Sequence, residues 1–517
     1  MKTYSRIIDN PIGRRYNMLD KIKQKFEKVK DKVDPTTSSS GSGHKGTDWS
    51  SSGGIGKKEV YRNRYNYGVN LGGLFVLENW IYDGGLDKGG DSEFDAVNAQ
   101  AKESSVDEAA KKLQDHYKDY IGKIDWNWLK NEAGVTAFRV PVGYWHVGNG
   151  QFVDDLPFGP LKEVYSKAQP WDFLKQLIKK AGEYDIGILV DIHGLPGGAN
   201  TDSHSGSTGG SAAFFNTSKY VDKMVKEVIP FIVKDACTEA ENVIGLQIVN
   251  EAAFDNNAKG QKNYYSQAIS AIRDIDSGLP VVISDGWWPQ QWADWLKDEG
   301  LDANVVIDSH VYRCFSDEDK SKDAGKIIDD LSKSVNFPKD QADFTCGEFS
   351  CVLDGQTWEK TSGARDELIK QYGCREIDVF SKTASWGWFF WTLQFKHGDG
   401  GEWGFVPMVN KGAISCCKEN NGAKADENRV QDLVNDHANY WSDKGGDKME
   451  HWRFEDALRA VINDVKAFAQ FDNSRLGRWR AWGLQRRSQY INEKGDGEFM
   501  WEWDQGWQRG IEEFVLR

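Results

Sequence analysis

The chain has 517 residues, of which 39% are hydrophobic, and this is enough apolar material to fill a large core. Its 65 basic and 79 acidic side chains leave a formal net charge of −14, which argues against a polyanion such as nucleic acid as a partner. No stretch approaches the length of a membrane-spanning helix, and the N-terminal segment has no apolar core of the secretory type. The seven cysteines, two of them adjacent, predict a reduced, cytoplasmic protein without a disulfide framework.

Residues 1–60 are predicted to form an N-terminal region of two parts. Apolar residues recur there every three or four positions among lysines, which is typical of an amphipathic helix. They are Leu19, Ile22, Phe26, Val29 and Val33. Residues 1–34 carry 10 basic against 5 acidic groups, a balance that also suits weak contact with a membrane surface. The Ser/Gly-rich stretch 35–58 is predicted to be a disordered linker.

Short apolar strands alternate with longer helical patterns over residues 61–435. The predicted strands are Asn66–Asn70, Thr136–Pro141, Gly187–Ile192, Ile244–Val249, Val281–Ser284, Val305–Ser309, Phe344–Gly347 and Gly387–Thr392. Strands that are apolar on both faces and alternate with helices indicate a parallel sheet, and eight repeats predict a closed (β/α)8 TIM barrel. The rival fold is an open doubly wound sheet. It is weakened because the first strand-to-helix turn lacks a dinucleotide-binding glycine pattern.

Beyond residue 435 the pattern becomes helical. Apolar residues from Phe454 to Phe468 follow the spacing of a strong amphipathic helix, and a Trp/Arg-rich stretch comes after them. Residues 436–517 are therefore predicted to be a helical C-terminal extension packed on the barrel. Interleaved basic and aromatic residues can indicate nucleic-acid binding, but the acidic net charge argues against that function.

In a parallel barrel the carboxyl ends of the strands share one face, and active sites lie there. Polar or aromatic side chains lie within the last few residues of every predicted strand or beyond it. In chain order they are Glu78, Arg139, His193, Asn250 and Glu251, Trp287 and Trp288, His310 and Tyr312, Glu348, and Trp391. Convergence from all eight strands predicts a single functional site on this face.

Glu251 and Glu348 come from the fourth and seventh strands. Their carboxylates can meet across the barrel mouth at about 5 Å, which is the separation of a retaining glycosidase pair. One carboxylate then attacks the anomeric carbon and the other protonates the leaving oxygen. The proton donor is expected to have a raised pKa, while Arg139 and Tyr312 are expected to keep the nucleophile ionised. No cofactor is expected.

Two other functions remain open. Asp191 with His193, and Asp308 with His310, alternate along the third and sixth strands and offer ligands for a metal-dependent hydrolase. Because no HxH or HExxH pattern accompanies them, we predict no metal. The second alternative is a catalytically idle protein that binds a glucan or a glycolipid.

The strand-end motifs resemble those of glycoside hydrolase family 5, most closely its fungal exo-β-1,3-glucanase branch. The matching stretches are "YGVNLGGLFVLENWI", "FRVPVGYW", "DIHGLPGGAN", "GLQIVNEAAF", "DSHVYRCFS", "CGEFS" and "GWFFWTLQ", in order over roughly residues 65–410. The resemblance implies retaining hydrolysis of β-glucosides or β-1,3-glucan, with Glu251 as the acid/base and Glu348 as the nucleophile. It also implies supporting or sugar-binding roles for Glu78, Arg139, His193, Asn250, His310, Tyr312, Phe315 and Trp391.

The chain departs from the family pattern at two positions near this site. Ala252 stands where the family has proline, which predicts a looser turn after Glu251. Asp202 stands where the secreted enzymes have an aromatic side chain that clamps the second sugar, while the partner of that aromatic matches Phe315. The leaving-group site is therefore expected to favour something other than a laminarin-like chain. The C-terminal extension and the missing signal resemble an intracellular fungal subgroup.

Overall fold

A computed structural model describes most of the chain from residue 55 onward. The described residues are 55–84, 86, 90, 92–301, 303–416, 421–424, 426–445 and 448–516. The predicted amphipathic helix of the first 34 residues lies outside them, as does nearly all of the predicted linker. The last two linker residues, Lys57 and Lys58, are helical and open the helix Lys57–Asn63.

Eight parallel strands form a closed barrel, which confirms the predicted fold. They are β1 Asn66–Asn70, β2 Ala137–Gly143, β3 Gly187–Gly194, β4 Val243–Gln247, β5 Val281–Ser284, β6 Val305–Arg313, β7 Asp343–Leu353 and β8 Gly387–Phe390. Each strand pairs with the next along the chain, and β8 pairs with β1 to close the barrel. The strands β6 and β7 run further than predicted, so Tyr312 and Glu348 lie within strands rather than beyond them.

Helices surround the barrel in the order expected for this fold. Their bounds are Lys57–Asn63, Glu93–Glu103, Val106–Gly122, Trp126–Asn131, Lys162–Ala168, Pro170–Gly182, Ser218–Lys223, Ile229–Ile232, Lys259–Arg273, Pro289–Asp298, Asp317–Lys320, Ala324–Ser334, Gly355–Lys360, Arg365–Thr383 and Phe405–Asn410. The helix Pro170–Gly182 shows why they form. Proline occupies its first turn, where a missing N–H is harmless, and Leu174, Leu177 and Ala181 at helical spacing bury one face.

The barrel interior changes from apolar to charged between one inward-facing position of the strands and the next. Near the amino ends of the strands, an apolar cluster fills the interior. Its members include Ala137, Leu189 and Val306. Because residues two apart on a strand face the same side, the next inward positions are Arg139, Asp191 and Asp308. All three are buried. The apolar layer therefore closes the base of the barrel, and the charged layer lies at its mouth.

The C-terminal region is helical, as predicted. Its helices are Glu427–Ser442, His451–Gln470, Trp479–Lys494 and Met500–Phe514. The predicted boundary at residue 435 falls inside the first of them. The region joins the base of the barrel through backbone hydrogen bonds, from Tyr65 N to Arg475 O at 2.8 Å and from Arg478 N to Ser385 O at 2.8 Å. It therefore lies at the end opposite the charged mouth. Within the described ranges, no helix is both long and apolar enough to cross a membrane.

Candidate active site

An irregular step between β6 and β7 sets the position of Glu348. The register changes from Ser309 opposite Cys346 to His310 opposite Glu348, so Gly347 is the extra residue of a bulge. Gly347 N donates to Asp308 Oδ1 at 2.6 Å, and a Cβ atom at this glycine would overlap the Asp308 carboxylate. The bulge thus requires glycine and turns Glu348 toward the mouth.

Arg139 is the centre of the charged layer. Its Nη2 lies 3.0 Å from Asp191 Oδ2 and donates to Asn250 Oδ1 at 2.7 Å. Its Nε donates to Gln247 Oε1, and its Nη1 donates to Asn70 Oδ1, both at 2.9 Å. The guanidinium is completely buried, and its donors are fixed by partners from several strands. This network fixes the geometry of the whole mouth.

Glu348 accepts two hydrogen bonds, one at each carboxylate oxygen. Arg139 Nη1 donates to Oε1 at 2.9 Å, and the Tyr312 hydroxyl donates to Oε2 at 2.9 Å. Burial raises the pKa of Glu348, against the opposing positive charges of His310 and Arg139. The two donors are the ones that the sequence predicts for an attacking carboxylate, but burial outweighs them, so the pKa of Glu348 lies above its ordinary value and not at or below it.

Glu251 lies on a turn that its surroundings hold in place. Its φ of 42° is in the left-handed region, which disfavours a non-glycine residue. Asn200 Nδ2 donates to the Glu251 carbonyl at 2.8 Å, and Ala252 N donates to Ser284 Oγ at 3.1 Å. Proline has no N–H and could not make the second bond. The looser turn expected from Ala252 is therefore countered by a hydrogen bond that any residue except proline could make at this position.

His310 connects the two carboxylates. Its Nδ1 lies 2.8 Å from Glu251 Oε1 and 3.5 Å from Glu348 Oε2, and its Nε2 lies 3.1 Å from Asp308 Oδ2. Burial opposes a charged imidazole, but the carboxylates of Glu348 and Asp308 raise the pKa of His310 well above its ordinary value. A carboxylate oxygen of Glu251 and one of Glu348 lie within 4.8 Å of each other.

The pKa of Glu251 differs from the sequence prediction. A proton donor is expected to have a raised pKa, and burial acts in that direction, but the hydrogen bond and the charge of His310 lower the pKa of Glu251 to about 2. The physical reason is that the proton in this cluster lies on the imidazole. That proton remains one hydrogen bond away from Glu251.

The predicted sugar-binding residues surround this pair. His193 Nδ1 lies 2.7 Å from Asp191 Oδ2, and Asn250 Nδ2 lies 3.3 Å from His193 Nε2. Burial lowers the pKa of His193 well below its usual range, so this ring is neutral and accepts from Asn250. Trp391 stacks on His193 with ring centroids 6.0 Å apart and is only 4% exposed, so one of its faces is already covered.

Glu78 and Phe315 lie at the rim of the mouth. Glu78 Oε2 accepts a hydrogen bond from Trp80 Nε1 at 3.0 Å, and burial raises the pKa of Glu78 to about 7. Phe315 is 63% exposed and packs against Tyr312, with ring centroids 5.5 Å apart. Trp403 packs between Trp80 and Tyr312, at 5.3 and 5.6 Å from their ring centroids. The rim is thus an aromatic wall beside the carboxylates.

The aspartates and histidines considered above as metal ligands make ion pairs and hydrogen bonds with other protein groups. Asp191 Oδ2 meets Arg139 and His193, while Asp308 Oδ2 accepts from Gln247 Nε2 at 2.8 Å and faces His310. The ligand-capable atoms of Glu251, His310 and Glu348 do lie close enough to hold one ion. Arg139 next to Glu348 places a fixed positive charge at that position, which disfavours a divalent cation.

The protein-family model described as "Cellulase (glycosyl hydrolase family 5)" matches residues 95–397, which is more than half of the chain. The chain belongs to glycosyl hydrolase family 5. This confirms the resemblance seen in the sequence, and the protein is a glycoside hydrolase. The Glucan 1,3-beta-glucosidase 3 C-terminal domain matches residues 423–516, which contain all four C-terminal helices.

Two fungal relatives cover most of this family 5 enzyme. An uncharacterized glycosyl hydrolase of Saccharomyces cerevisiae is 55% identical over 89% of this chain and 93% of its own length. Glucan 1,3-beta-glucosidase 3 of Schizosaccharomyces pombe is 33% identical over 86% of this chain and 95% of its own length.

Among solved structures, the rutinosidase from Aspergillus niger superimposes with a TM-score of 0.51 and 20% identity, covering 68% of this chain and 98% of that one. The structure of AoRut has a TM-score of 0.54 and 22% identity, with 68% and 97% covered. At this level of identity the two structures share the fold alone.

Several residues of the site escape sequence reasoning. Asn70 and Gln247 contact Arg139 from the ends of β1 and β4. In the sequence, each belongs to a predicted strand and has no feature of its own that indicates a role in the site. His204, in the loop after β3, lies 3.8 Å from Glu251 Oε2. A histidine in a Gly/Ser-rich loop after a motif-bearing strand is a weak signal. Trp80 follows Glu78 by two residues, so the motif that carries Glu78 is also a signal for it.

Proposed function

We propose that this family 5 enzyme releases glucose from β-glucosides or β-1,3-glucan by a retaining double displacement. One observation carries the proposal: the Glu251 and Glu348 carboxylates approach within 4.8 Å at the barrel mouth. Retaining glycosidases hold their two carboxyl groups about 5 Å apart, whereas inverting enzymes leave room for a water between them. The relative named glucan 1,3-beta-glucosidase 3 supports the choice of substrate.

In the first step, Glu348 attacks the anomeric carbon. A bond forms between a Glu348 carboxylate oxygen and that carbon, while the bond from the carbon to the leaving oxygen breaks. Glu251 gives its proton to the leaving oxygen, so that a neutral alcohol departs. Arg139 and Tyr312, which donate to Glu348, hold the attacking carboxylate in position.

Proton supply to Glu251 is the task of His310 in this proposal. In the ligand-free site His310 carries the proton and donates it to Glu251 Oε1 in a 2.8 Å hydrogen bond. Transfer along that bond leaves a protonated Glu251 and a neutral imidazole. As the bond between the sugar and Glu348 forms, the negative charge that held His310 protonated is lost, so the transfer to Glu251 becomes favourable while the leaving oxygen takes its proton.

In the second step, water hydrolyses the glycosyl–Glu348 ester. Glu251, now a carboxylate, takes a proton from the water as its oxygen attacks the anomeric carbon. Glu348 leaves with its original charge, and the proton taken up by Glu251 returns to His310, which restores the starting state. The sugar itself is proposed to be held by Glu78, His193, Asn250 and Trp391, with Phe315 at the leaving-group side.

We also propose a division of the chain into a catalytic barrel and a C-terminal helical unit, with the N-terminal 60 residues as a separate segment. The boundary is placed before the helix Glu427–Ser442, because the C-terminal family match begins at residue 423. Limited proteolysis tests this division. We expect early cleavage near residue 425, and first cuts inside residue ranges 427–442 or 451–470 would argue against it.

A cytoplasmic location is proposed as well. Four buried cysteines of the barrel support it: Cys237, Cys314, Cys346 and Cys351. Among the described residues, none of the four forms a disulfide. A fluorescent fusion expressed in yeast is expected to fill the cytoplasm, and secretion into the medium would contradict the proposal.

Proton NMR of the released glucose tests the proposed reaction. The purified protein is incubated with an aryl β-glucoside and with laminari-oligosaccharides, and the anomer formed first is recorded. We expect β-glucose first. Initial α-glucose would indicate inversion, and binding without any release would indicate an idle binding protein. Activity lost to a chelator and restored by a divalent metal would favour the metal-dependent alternative, to which the Glu251–His310–Glu348 cluster corresponds.

A further inference from the structure

Three large aromatic side chains are exposed beside the catalytic centre. Phe254, Trp287 and Trp288, here called the aromatic platform, are 54%, 53% and 44% exposed. The Trp287 ring meets His310 edge-on, with centroids 6.5 Å apart, and Phe254 lies 6.4 Å from Trp288. Because His310 contacts Glu251, the platform lies one side chain away from the carboxylate proposed to protonate the leaving group. Clustered exposed aromatics mark interaction sites more often than isolated ones do.

The backbone holds the platform in an unfavourable conformation. Trp287 has a φ of 65°, in the left-handed region where a bulky side chain is an outlier. Asp285 Oδ1 accepts a hydrogen bond from Trp287 N at 2.8 Å and fixes this turn. Exposure of an indole and a strained backbone both reduce stability. Such features persist at ligand-binding positions, where the surrounding structure enforces them.

A groove of about 680 Å³ continues outward from the platform. It lies between the helices Lys259–Arg273 and Pro289–Asp298, with Trp288 on its lining. Eleven residues line it, of which two are tryptophans and nine carry hydrogen-bonding side chains. The volume is within the range of about 300–1,000 Å³ typical of small-molecule sites.

The lining suits sugar hydroxyls better than a lipid or a sterol. Asn256, Lys262 and Asp298 have side chains without a hydrogen-bond or ion-pair partner among the described residues, so donors and acceptors of both charges are open to a ligand. An acyl chain or a sterol placed there would leave those groups desolvated and unpaired, which is unfavourable. A neutral polyhydroxyl chain satisfies them.

We infer that the aromatic platform and the groove together bind the leaving-group portion of a β-glucan chain. This inference rests on the proposed function, since it places the part of the chain that departs with the Glu251 proton. Sugar rings stack their C–H faces on Trp288 and Phe254, and hydroxyls bond to the groove. The platform thereby takes the place of the aromatic clamp that Asp202 interrupts, and chain substrates are favoured over apolar aglycones. This inference replaces the expectation, drawn from Asp202 alone, of a leaving group other than a laminarin-like chain.

Chain-length dependence of kcat/KM is the test. Wild type, Trp288→Ala and Trp288→Tyr are compared on an aryl β-glucoside, on laminaribiose to laminarihexaose, and on octyl β-glucoside. The ratio of kcat/KM for laminarihexaose to that for the aryl glucoside is expected to fall about tenfold in Trp288→Ala, equivalent to about 1.4 kcal/mol. Trp288→Tyr retains a stacking face and is expected to restore most of the ratio.

Trp452→Ala is the matched control, because Trp452 is also 44% exposed but belongs to the C-terminal helices. It is expected to leave the ratio unchanged. An equal ratio in wild type and Trp288→Ala would overturn the inference, and so would a loss confined to octyl β-glucoside.

Binding of laminarihexaose to the Glu348→Gln variant, by calorimetry, separates this inference from the proposed reaction. We expect Trp288→Ala in that background to weaken binding about tenfold as well. Absence of glucose release by wild type would refute the proposed reaction. Equal laminarihexaose affinity with and without Trp288→Ala would refute binding at the aromatic platform and the groove.

Discussion

Two completely buried arginines lie at opposite ends of the barrel, and their partners differ in kind. Arg64, just before β1 at the base, donates to the backbone carbonyls of Thr136 at 2.6 Å and Asp185 at 2.9 Å. Arg139, at the mouth, faces the carboxylates of Asp191 and Glu348. Burial lowers the pKa of Arg64, whereas at Arg139 the carboxylates overcome the effect of burial and raise its pKa.

This difference in partners indicates a structural role for the base of the barrel and an electrostatic role for its mouth. A carbonyl cannot exchange a proton, so Arg64 can only hold β1, β2 and the helix–strand junction at Asp185 together. A carboxylate can change its charge, so Arg139 influences which carboxylates are ionised. Substitutions at the base are therefore expected to change the free energy of unfolding, and substitutions at the mouth to change the rate of catalysis.

Glu348→Gln is expected to have the largest effect on catalysis. The variant keeps the side-chain shape but removes the attacking charge, so kcat/KM for an aryl β-glucoside should fall by about four orders of magnitude. Thermal unfolding should occur at or slightly above the wild-type midpoint, because one buried charge has been removed. A variant with near-wild-type turnover would show that another group attacks the sugar.

Glu251→Ala is expected to lower kcat/KM by about two to four orders of magnitude on a glucoside with a poor leaving group. Azide should restore turnover of an activated aryl glucoside, because the small anion occupies the vacated position and attacks the glycosyl–enzyme. Asp202→Ala is the matched control, since this neighbouring carboxylate is 65% exposed on its side chain and lies 3.8 Å from His204. Azide should have no effect on it, and azide rescue of the control but not of Glu251→Ala would reverse the assignment.

Glu78→Gln is expected to have a smaller, pH-dependent effect. Burial raises the pKa of Glu78 to about 7, so the group is neutral below that pH and charged above it. A charged carboxylate accepts sugar hydroxyl hydrogen bonds more strongly, so the wild-type KM should fall as the pH rises through 7. In the variant KM should be several-fold higher above pH 7 and lack this step. A step of unchanged size would assign the titration to another group, such as Asp191, whose pKa burial also raises to about 7.

Arg64→Met is expected to have the smallest effect on catalysis. Loss of the two bonds to carbonyls should lower the free energy of unfolding by about 1–3 kcal/mol, while kcat/KM of the folded enzyme changes less than about twofold. Denaturant unfolding and initial rates measure the two quantities. Arg365→Met, an exposed arginine paired with Glu402, serves as the control with little effect on either. Lost activity at unchanged stability would show that the base and the mouth are coupled.

The sequence predicts the barrel and the two central carboxylates because both depend on local patterns. Apolar strands that alternate with helices determine the fold class, and Glu251 and Glu348 follow from their positions at strand ends. Asn70 and Gln247 could not be predicted, because their role arises only when the barrel brings β1 and β4 around Arg139 on β2.

The protonation of the site was also beyond the sequence. The position of His310 between two carboxylates depends on the bulge at Gly347, a three-dimensional feature. For that reason the expected raised pKa of Glu251 was wrong, although the residue itself was correctly placed at the mouth.

Trapping of the covalent intermediate tests the central claim most directly. The enzyme is incubated with an activated 2-deoxy-2-fluoro-β-glucoside, whose second step is slow, and the labelled peptide is identified by mass spectrometry. The account predicts a fluoroglucosyl adduct on Glu348, formed at one site per chain and also formed, more slowly, in His310→Gln. An adduct on Glu251, or steady turnover of natural substrate with no adduct on either residue, would contradict it.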